Sequence, residues 1–188
     1  MDIIVLIKQI PDPEIPPASF KIDAAVNKVV PPSNVAPVMD PYSEHALEAA
    51  LKLKDANPGS RIKALSMGSG LNKELLKKAL ALGADELILL DDPAFDNGDS
   101  TATSHALALA IKKIGTFDII LTGRQAADWD TGQVGLLLGG ALDLPVVSRA
   151  RKVEAAGGKL RIERVTSYGY EVVEAPIPAV VTVSIELG

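Results

Sequence analysis

Cysteine is missing from this 188-residue sequence altogether. That absence excludes disulfides, thiolate nucleophiles, cysteine–zinc centres and iron–sulfur ligation, and it fits a reducing compartment. Histidine occurs only as His45 and His105, too few for a zinc site built on histidines alone, and both fall inside predicted helices. Aromatic residues are scarce, at 4% against 47% apolar. The core must therefore be built from Ala, Val, Leu and Ile, which suits buried parallel strands covered by helices. No apolar run approaches the ~20 residues of a membrane helix, so no membrane insertion is expected. Asp2 stands where a signal peptide would carry positive charge, and the expectation is a soluble cytoplasmic protein. The net charge is −5 with no basic cluster, which argues against nucleic-acid binding.

What is present alternates. Ile3 to Ile7 reads as a buried first strand. Pro11 to Pro17 is a proline-broken loop, and Phe20 to Val30 a small hairpin-like excursion closed by Pro31 and Pro32. Asp40 caps a helix that Pro41 opens and that runs to about Lys54. Arg61 to Met67 is a second strand. Asn72 to Leu82 is a helix with Leu75, Leu76, Ala79 and Leu80 inward and Gly83 at its end. Glu86 to Leu90 is a third strand. A helix capped by Asp99 or Ser100 runs to Ile114, and Phe117 to Leu121 is a fourth strand. A helix starting at Asp130 or Thr131 reaches Leu142, and Leu144 to Val147 is a fifth strand. From there the period changes: residues around Gly157-Gly158 read as a β-hairpin, Tyr170 to Glu174 as extended and Ala179 to Ile185 as a last strand. The expected fold is α/β, with a mainly parallel sheet, helices on both faces and a C-terminal β-hairpin extension. The expected organisation is a single nucleotide-binding domain over residues 1–188, with 148–188 as its β-rich extension.

In such sheets ligands sit beyond the carboxyl ends of the strands, near helix N-termini. The run from Gly123 to Gly135 occupies that position after the fourth strand. It packs Arg124, Gln125, Thr131, Gly132 and Gln133 ahead of an apolar helix. The first N–H groups of a helix have no internal partner and favour an anion. Gly132 allows close backbone approach, and Arg124 could balance phosphate charge. Two readings stay open from this chemistry: a ligand cradle, or an ordinary capped helix start with Asp130 as the cap. The acidic loops at Asp91-Asp92 and Asp96 to Asp99 read first as solvated turns. Gly68-Ser69-Gly70 fits neither a P-loop nor Gly-x-Gly-x-x-Gly. No nucleophile–base–acid set is present, so any redox chemistry belongs to a bound cofactor.

Four segments in order resemble the electron-transfer flavoprotein beta-subunit family. They are Gly123 to Asp128 with Asp130 to Gly135; Met39 to Ala50; Lys73 to Leu90 with its Ala79-Leu80-Ala81-Leu82-Gly83-Ala84-Asp85; and Tyr170 to Glu174 with Pro178 to Val183. The resemblance runs from Ile3 to about Ile185. It implies an adenine nucleotide alpha hydrolase-like fold and an electron carrier rather than an enzyme with its own catalytic residues. It also implies an alpha-subunit partner, dehydrogenase electron donors, and AMP or FAD bound by this chain. Carried over residue by residue, the pocket uses Leu6, Asp40, Met67 and Gln125, with Thr131, Gly132, Gln133 and Val134 holding the phosphates. The compact step from Gln125 to Thr131 favours FAD over AMP.

This sequence departs from the family at three points. Asp40 replaces the usual Asn, Ser167-Tyr168-Gly169 replaces a more acidic turn, and the chain stops at Gly188 before the family's partner-wrapping arm. Two alternatives accompany the reading. One is an electron-bifurcating subunit that oxidises NADH at a beta-site FAD. The other is a non-redox, stress-type nucleotide-binding module.

Overall fold

The computed structural model describes residues 1–19, 21–25, 28–30 and 35–186. The chain opens with β1 (Asp2–Leu6), β2 (Gln9–Ile10), β3 (Lys21–Asp23), β4 (Lys28–Val30) and β5 (Val38–Met39), then α1 (Pro41–Ala56) and β6 (Arg61–Gly68). Next come α2 (Lys73–Leu76), α3 (Lys78–Leu82), β7 (Glu86–Asp91), α4 (Ser100–Ile114), β8 (Ile119–Gly123) and α5 (Val134–Leu142). The last part holds β9 (Val146–Ala156), β10 (Lys159–Thr166), β11 (Gly169–Pro176) and β12 (Ala179–Val183).

Eight strands form one sheet in the order β11-β10-β9-β12-β8-β1-β6-β7. Pairing is parallel from β9 through β12, β8, β1 and β6 to β7, and antiparallel along β9-β10-β11. This is the expected α/β architecture with its C-terminal β extension. Alternate residues of each strand feed two cores, as the two-residue period of a strand requires. Ile3 and Val5 pack with Ala46, Leu47, Ala50 and Leu53 of α1. Ile4 and Leu6 pack with Leu107, Ala108 and Ile111 of α4 and Leu138 of α5. No helix among the described residues is long and apolar enough to cross a membrane.

After β1 the sheet grows through β6 and β7, whereas β8 lies on the other side of β1. The order reverses between β1 and β8, and their carboxyl ends frame the crevice where α/β sheets take ligands.

Several elements differ from expectation. The helix expected over Asn72 to Leu82 is interrupted at Lys77, where ψ of −15° opens the ladder between α2 and α3. Leu76 and Ala79 remain buried, but Leu80 is 39% exposed rather than inward. The start of α5 is Val134 rather than Asp130 or Thr131. Asp130 (φ 51°) and Gly132 (φ 62°) take left-handed backbone, which cannot continue a right-handed helix. The fourth strand begins and ends two residues later than expected, as β8. The fifth is far longer: β9 passes through Ser148 and Arg149 by a bulge, which lets one strand pair with both β12 and β10. The hairpin expected from Phe20 to Val30 is seen as β3 pairing β4, while Phe20 itself lies outside the described residues, as do Pro31 and Pro32.

Candidate functional site

The end of β1, the start of α1 and the loop after β8 are fastened together by a small set of polar groups. Asp40 is the N-cap of α1, and only 1% of its surface is exposed. Its Oδ2 accepts from the Ser43 N–H at 2.9 Å and from Ser43 Oγ at 3.0 Å. Its Oδ1 accepts from the Ala127 N–H at 2.9 Å. A carboxylate, an acceptor at both oxygens, satisfies two N–H groups that an amide could meet only once. Burial pushes the Asp40 carboxyl up from its ordinary value, and the Ala127 and Ser43 hydrogen bonds oppose that rise.

Lys8, just past β1, completes the fastening. Its N–H donates to Ser43 Oγ at 3.1 Å and its carbonyl accepts from the Asp40 N–H at 2.9 Å. Its Nζ lies 2.7 Å from both carboxylate oxygens of Asp128. A Cβ placed on Gly123 would come within 2.6 Å of Tyr42 Cβ, so only glycine lets the first turn of α1 approach the end of β8 this closely.

The loop is also tied internally. The Arg124 N–H donates to the Val183 carbonyl at 2.8 Å. Its guanidinium donates through Nε and Nη2 to Gln125 Oε1 at 2.9 and 2.6 Å, and Gln125 Nε2 donates to Asp130 Oδ1 at 2.6 Å. Asp130 therefore orients Gln125 and does not cap α5, correcting the sequence expectation. Thr131 Oγ1 lies 3.3 Å from Ser100 Oγ at the start of α4. Gln133 is the N-cap of α5 but makes no side-chain capping bond, in contrast with Asp40 on α1, Asn72 on α2 and Asp99 on α4.

The structure thus places all eight sequence-derived residues along one edge, on adjoining elements. Leu6 ends β1 and Met67 lies one residue before the end of β6. Asp40 opens α1, and Gln125, Thr131, Gly132, Gln133 and Val134 lead into α5. Asp40 and Gln125 have most of their hydrogen-bonding capacity spent on protein. Thr131 and Gln133 are exposed and Gly132 half-buried.

Does this edge suit a phosphate? The opening N–H groups of α5 lack a side-chain acceptor. Arg124 meets a neutral amide oxygen, so its charge is left uncompensated by that contact. Arg149, in the β9 bulge, donates its N–H to Thr182 Oγ1 at 3.0 Å, and its Nε is buried with no acceptor. Thr182 in turn borders the first turn of α5: a Cβ on Gly135 would lie 2.7 Å from Thr182 Cγ2 and from Thr122 Cγ2. An orphaned buried donor, an uncapped helix start and a weakly compensated guanidinium are the features an anion would complete. The residues fit the phosphates of a nucleotide.

Lys8 and Arg149 escape sequence reasoning. Each gains its relevance from a partner distant in sequence, and no local motif marks it. The acidic loops serve as caps and turns. Asp91 Oδ1 accepts from the Gly70 N–H at 2.8 Å, Asp92 Oδ1 from the Ala94 N–H at 2.8 Å, and Asp99 Oδ1 from the Ala102 N–H at 2.8 Å.

Comparison with known proteins bears on the same chain. The family described as "Electron transfer flavoprotein domain" matches residues 29–187. An electron transfer flavoprotein subunit beta of Clostridium acetobutylicum is 42% identical, over 100% of this chain and 70% of its own length. The subunit beta of Megasphaera elsdenii is 40% identical, over 97% of this chain and 68% of its own. Subunit CarD of the caffeyl-CoA reductase-Etf complex of Acetobacterium woodii is 40% identical, over 100% and 70%. Matched across nearly its whole length at this identity, the chain belongs to the electron transfer flavoprotein family, as a beta subunit.

Proposed function

We propose that this subunit holds an adenine nucleotide at the carboxyl edge between β1 and β8, and that it works as a carrier beside an alpha subunit. The observation that carries the reading is the uncapped start of α5, bordered by Thr182, to which the Arg149 N–H is bonded, with the Arg149 Nε buried and unpartnered. The backbone N–H groups from Thr131 to Val134, the Thr131 hydroxyl and the Gln133 amide would hold the phosphates. Leu6 and Met67 would border the rest of the nucleotide. Asp40 holds the loop through Ala127 instead of reaching the ligand itself, since its oxygens are already engaged. A hydrogen bond to a charged group contributes about 1.5–3 kcal/mol, so two or three such donors suffice to retain a nucleotide.

Of the two nucleotides, we favour FAD. The short step between Gln125 and Thr131, closed by the Gln125–Asp130 bond, supports that choice. When bound, FAD supplies the electron-transfer chemistry, whereas AMP would serve structure alone. Electrons would come from dehydrogenase partners, and similarity to an Etf subunit of a caffeyl-CoA reductase complex supports acyl-CoA-linked donors or acceptors. The test is the small molecule released on denaturing the purified protein. FAD is expected, and a nucleotide-free protein that takes up neither FAD nor AMP would refute the reading. Thr131→Ala with Gln133→Ala should lower occupancy while the far-ultraviolet circular dichroism stays unchanged.

A further inference from the structure

We propose that Trp129 stacks on a flat aromatic ring of the bound nucleotide, an inference that rests on the nucleotide reading above. Trp129 is the only tryptophan of the chain, and 73% of its surface is exposed. It stands on the loop that leads into α5, three residues before Gly132. An indole offers a large apolar face, and removing that face from water is favourable.

The backbone that carries it is fixed on both sides. Asp128 is paired with Lys8 at 2.7 Å, and Asp130 is bonded to Gln125 at 2.6 Å in left-handed conformation. The Ala126 carbonyl accepts from the N–H groups of both Trp129 and Asp130, at 3.4 and 2.9 Å. Asp40 and Lys8, which hold the preceding turn, belong to the elements that frame the other side of the crevice. These bonds within the protein hold the loop, so stacking carries little further entropic cost.

The indole is also isolated on its loop. From Gly123 to Gln133 no other large apolar side chain is exposed among the described residues. A stable protein interface needs roughly 800 Å² from each partner, more than one side chain offers, whereas a single ring matches a single indole. The shared chemistry is a planar heteroaromatic ring, either adenine or isoalloxazine.

The experiment uses the purified chain stripped of nucleotide. AMP, FMN and FAD are titrated separately, with the emission of the single tryptophan followed for the native protein and the calorimetric affinity for the native protein, Trp129→Phe and Trp129→Ala. AMP carries only adenine and FMN only isoalloxazine, so the ligand whose affinity falls in Trp129→Ala identifies the ring. Quenching is expected, with binding about tenfold weaker in Trp129→Ala and largely retained in Trp129→Phe. Native affinity in Trp129→Ala would overturn the stacking while leaving the nucleotide site standing. An emission that responds to a partner protein but to no nucleotide would likewise overturn it. Failure of the native chain to bind any of the three would remove the nucleotide reading as well.

Discussion

Asp40 and Ala127 are 87 residues apart in sequence, yet the carboxylate of one accepts the backbone N–H of the other at 2.9 Å. The same carboxylate caps α1 through Ser43. One buried acid therefore starts a helix and fixes the turn of the loop that leads into α5.

Removing that acid should disturb both ends. Asp40→Ala is expected to cost about 1–3 kcal/mol at pH 7, from the lost cap and the unpartnered Ala127 N–H. Urea unfolding measures the cost. Hydrogen exchange at Ala127 should rise more than exchange in the β1 and β8 interior, and equal changes in both would contradict the double role.

The pH dependence of the same residue has a definite sign. Burial raises the folded Asp40 pKa above its ordinary value of 3.8. Between the two values the folded chain binds the proton more tightly than the unfolded chain, so stability falls as pH rises through that window. The stability of the native protein relative to Asp40→Asn, measured from pH 3.5 upward, should decline with pH and then level off. A difference that grows with pH would contradict the assignment.

Asp85 behaves in the opposite sense. The hydrogen bond from Lys54 at 2.8 Å, and then that from the Ile62 N–H at 2.7 Å, pull its pKa below the ordinary 3.8. Its contribution is fully present above the ordinary value and is lost as pH falls through the folded value. Because the pair is partly exposed, Asp85→Asn should cost no more than about 1 kcal/mol at pH 7. That cost should vanish in strong acid, which parallel denaturation curves at the two pH values would show.

Two glycines of α5 should respond oppositely to alanine. Gly135→Ala places a methyl 2.7 Å from Thr122 Cγ2 and Thr182 Cγ2, with an expected cost of about 1–3 kcal/mol and lower nucleotide occupancy. Gly140 is exposed and nothing lies within 4 Å of an added Cβ. Gly140→Ala should stabilise the protein by roughly 0.5–1 kcal/mol with occupancy unchanged. Thermal melts and released nucleotide measure both.

The alternating core was legible because its signals are local. Short apolar runs, the caps Asp40 and Asp99, and the stops Gly83 and Gly115 each act within a turn or two of their own position. The four ordered segments that suggested the family rest on such stretches. The start of α5 was misplaced because Asp130 has the composition of a cap but the backbone of a left-handed turn. The length of β9 was hidden because Ser148-Arg149 reads as a polar boundary, and only pairing to β12 and β10 on either side carries the strand through it.

The sequence by itself determined the parallel α/β framework, the two-sided apolar core and the position of the loop before α5. Each follows from periodicity and capping, which neighbouring residues encode together. Tertiary structure alone decided that Lys8 meets Asp128 across 120 residues, that Asp40 holds Ala127, and that Arg149 comes beside the first turn of α5. Those pairings exist because the strand order reverses between β1 and β8 and because β12 returns to lie between β8 and β9, and no local pattern of residues specifies that order.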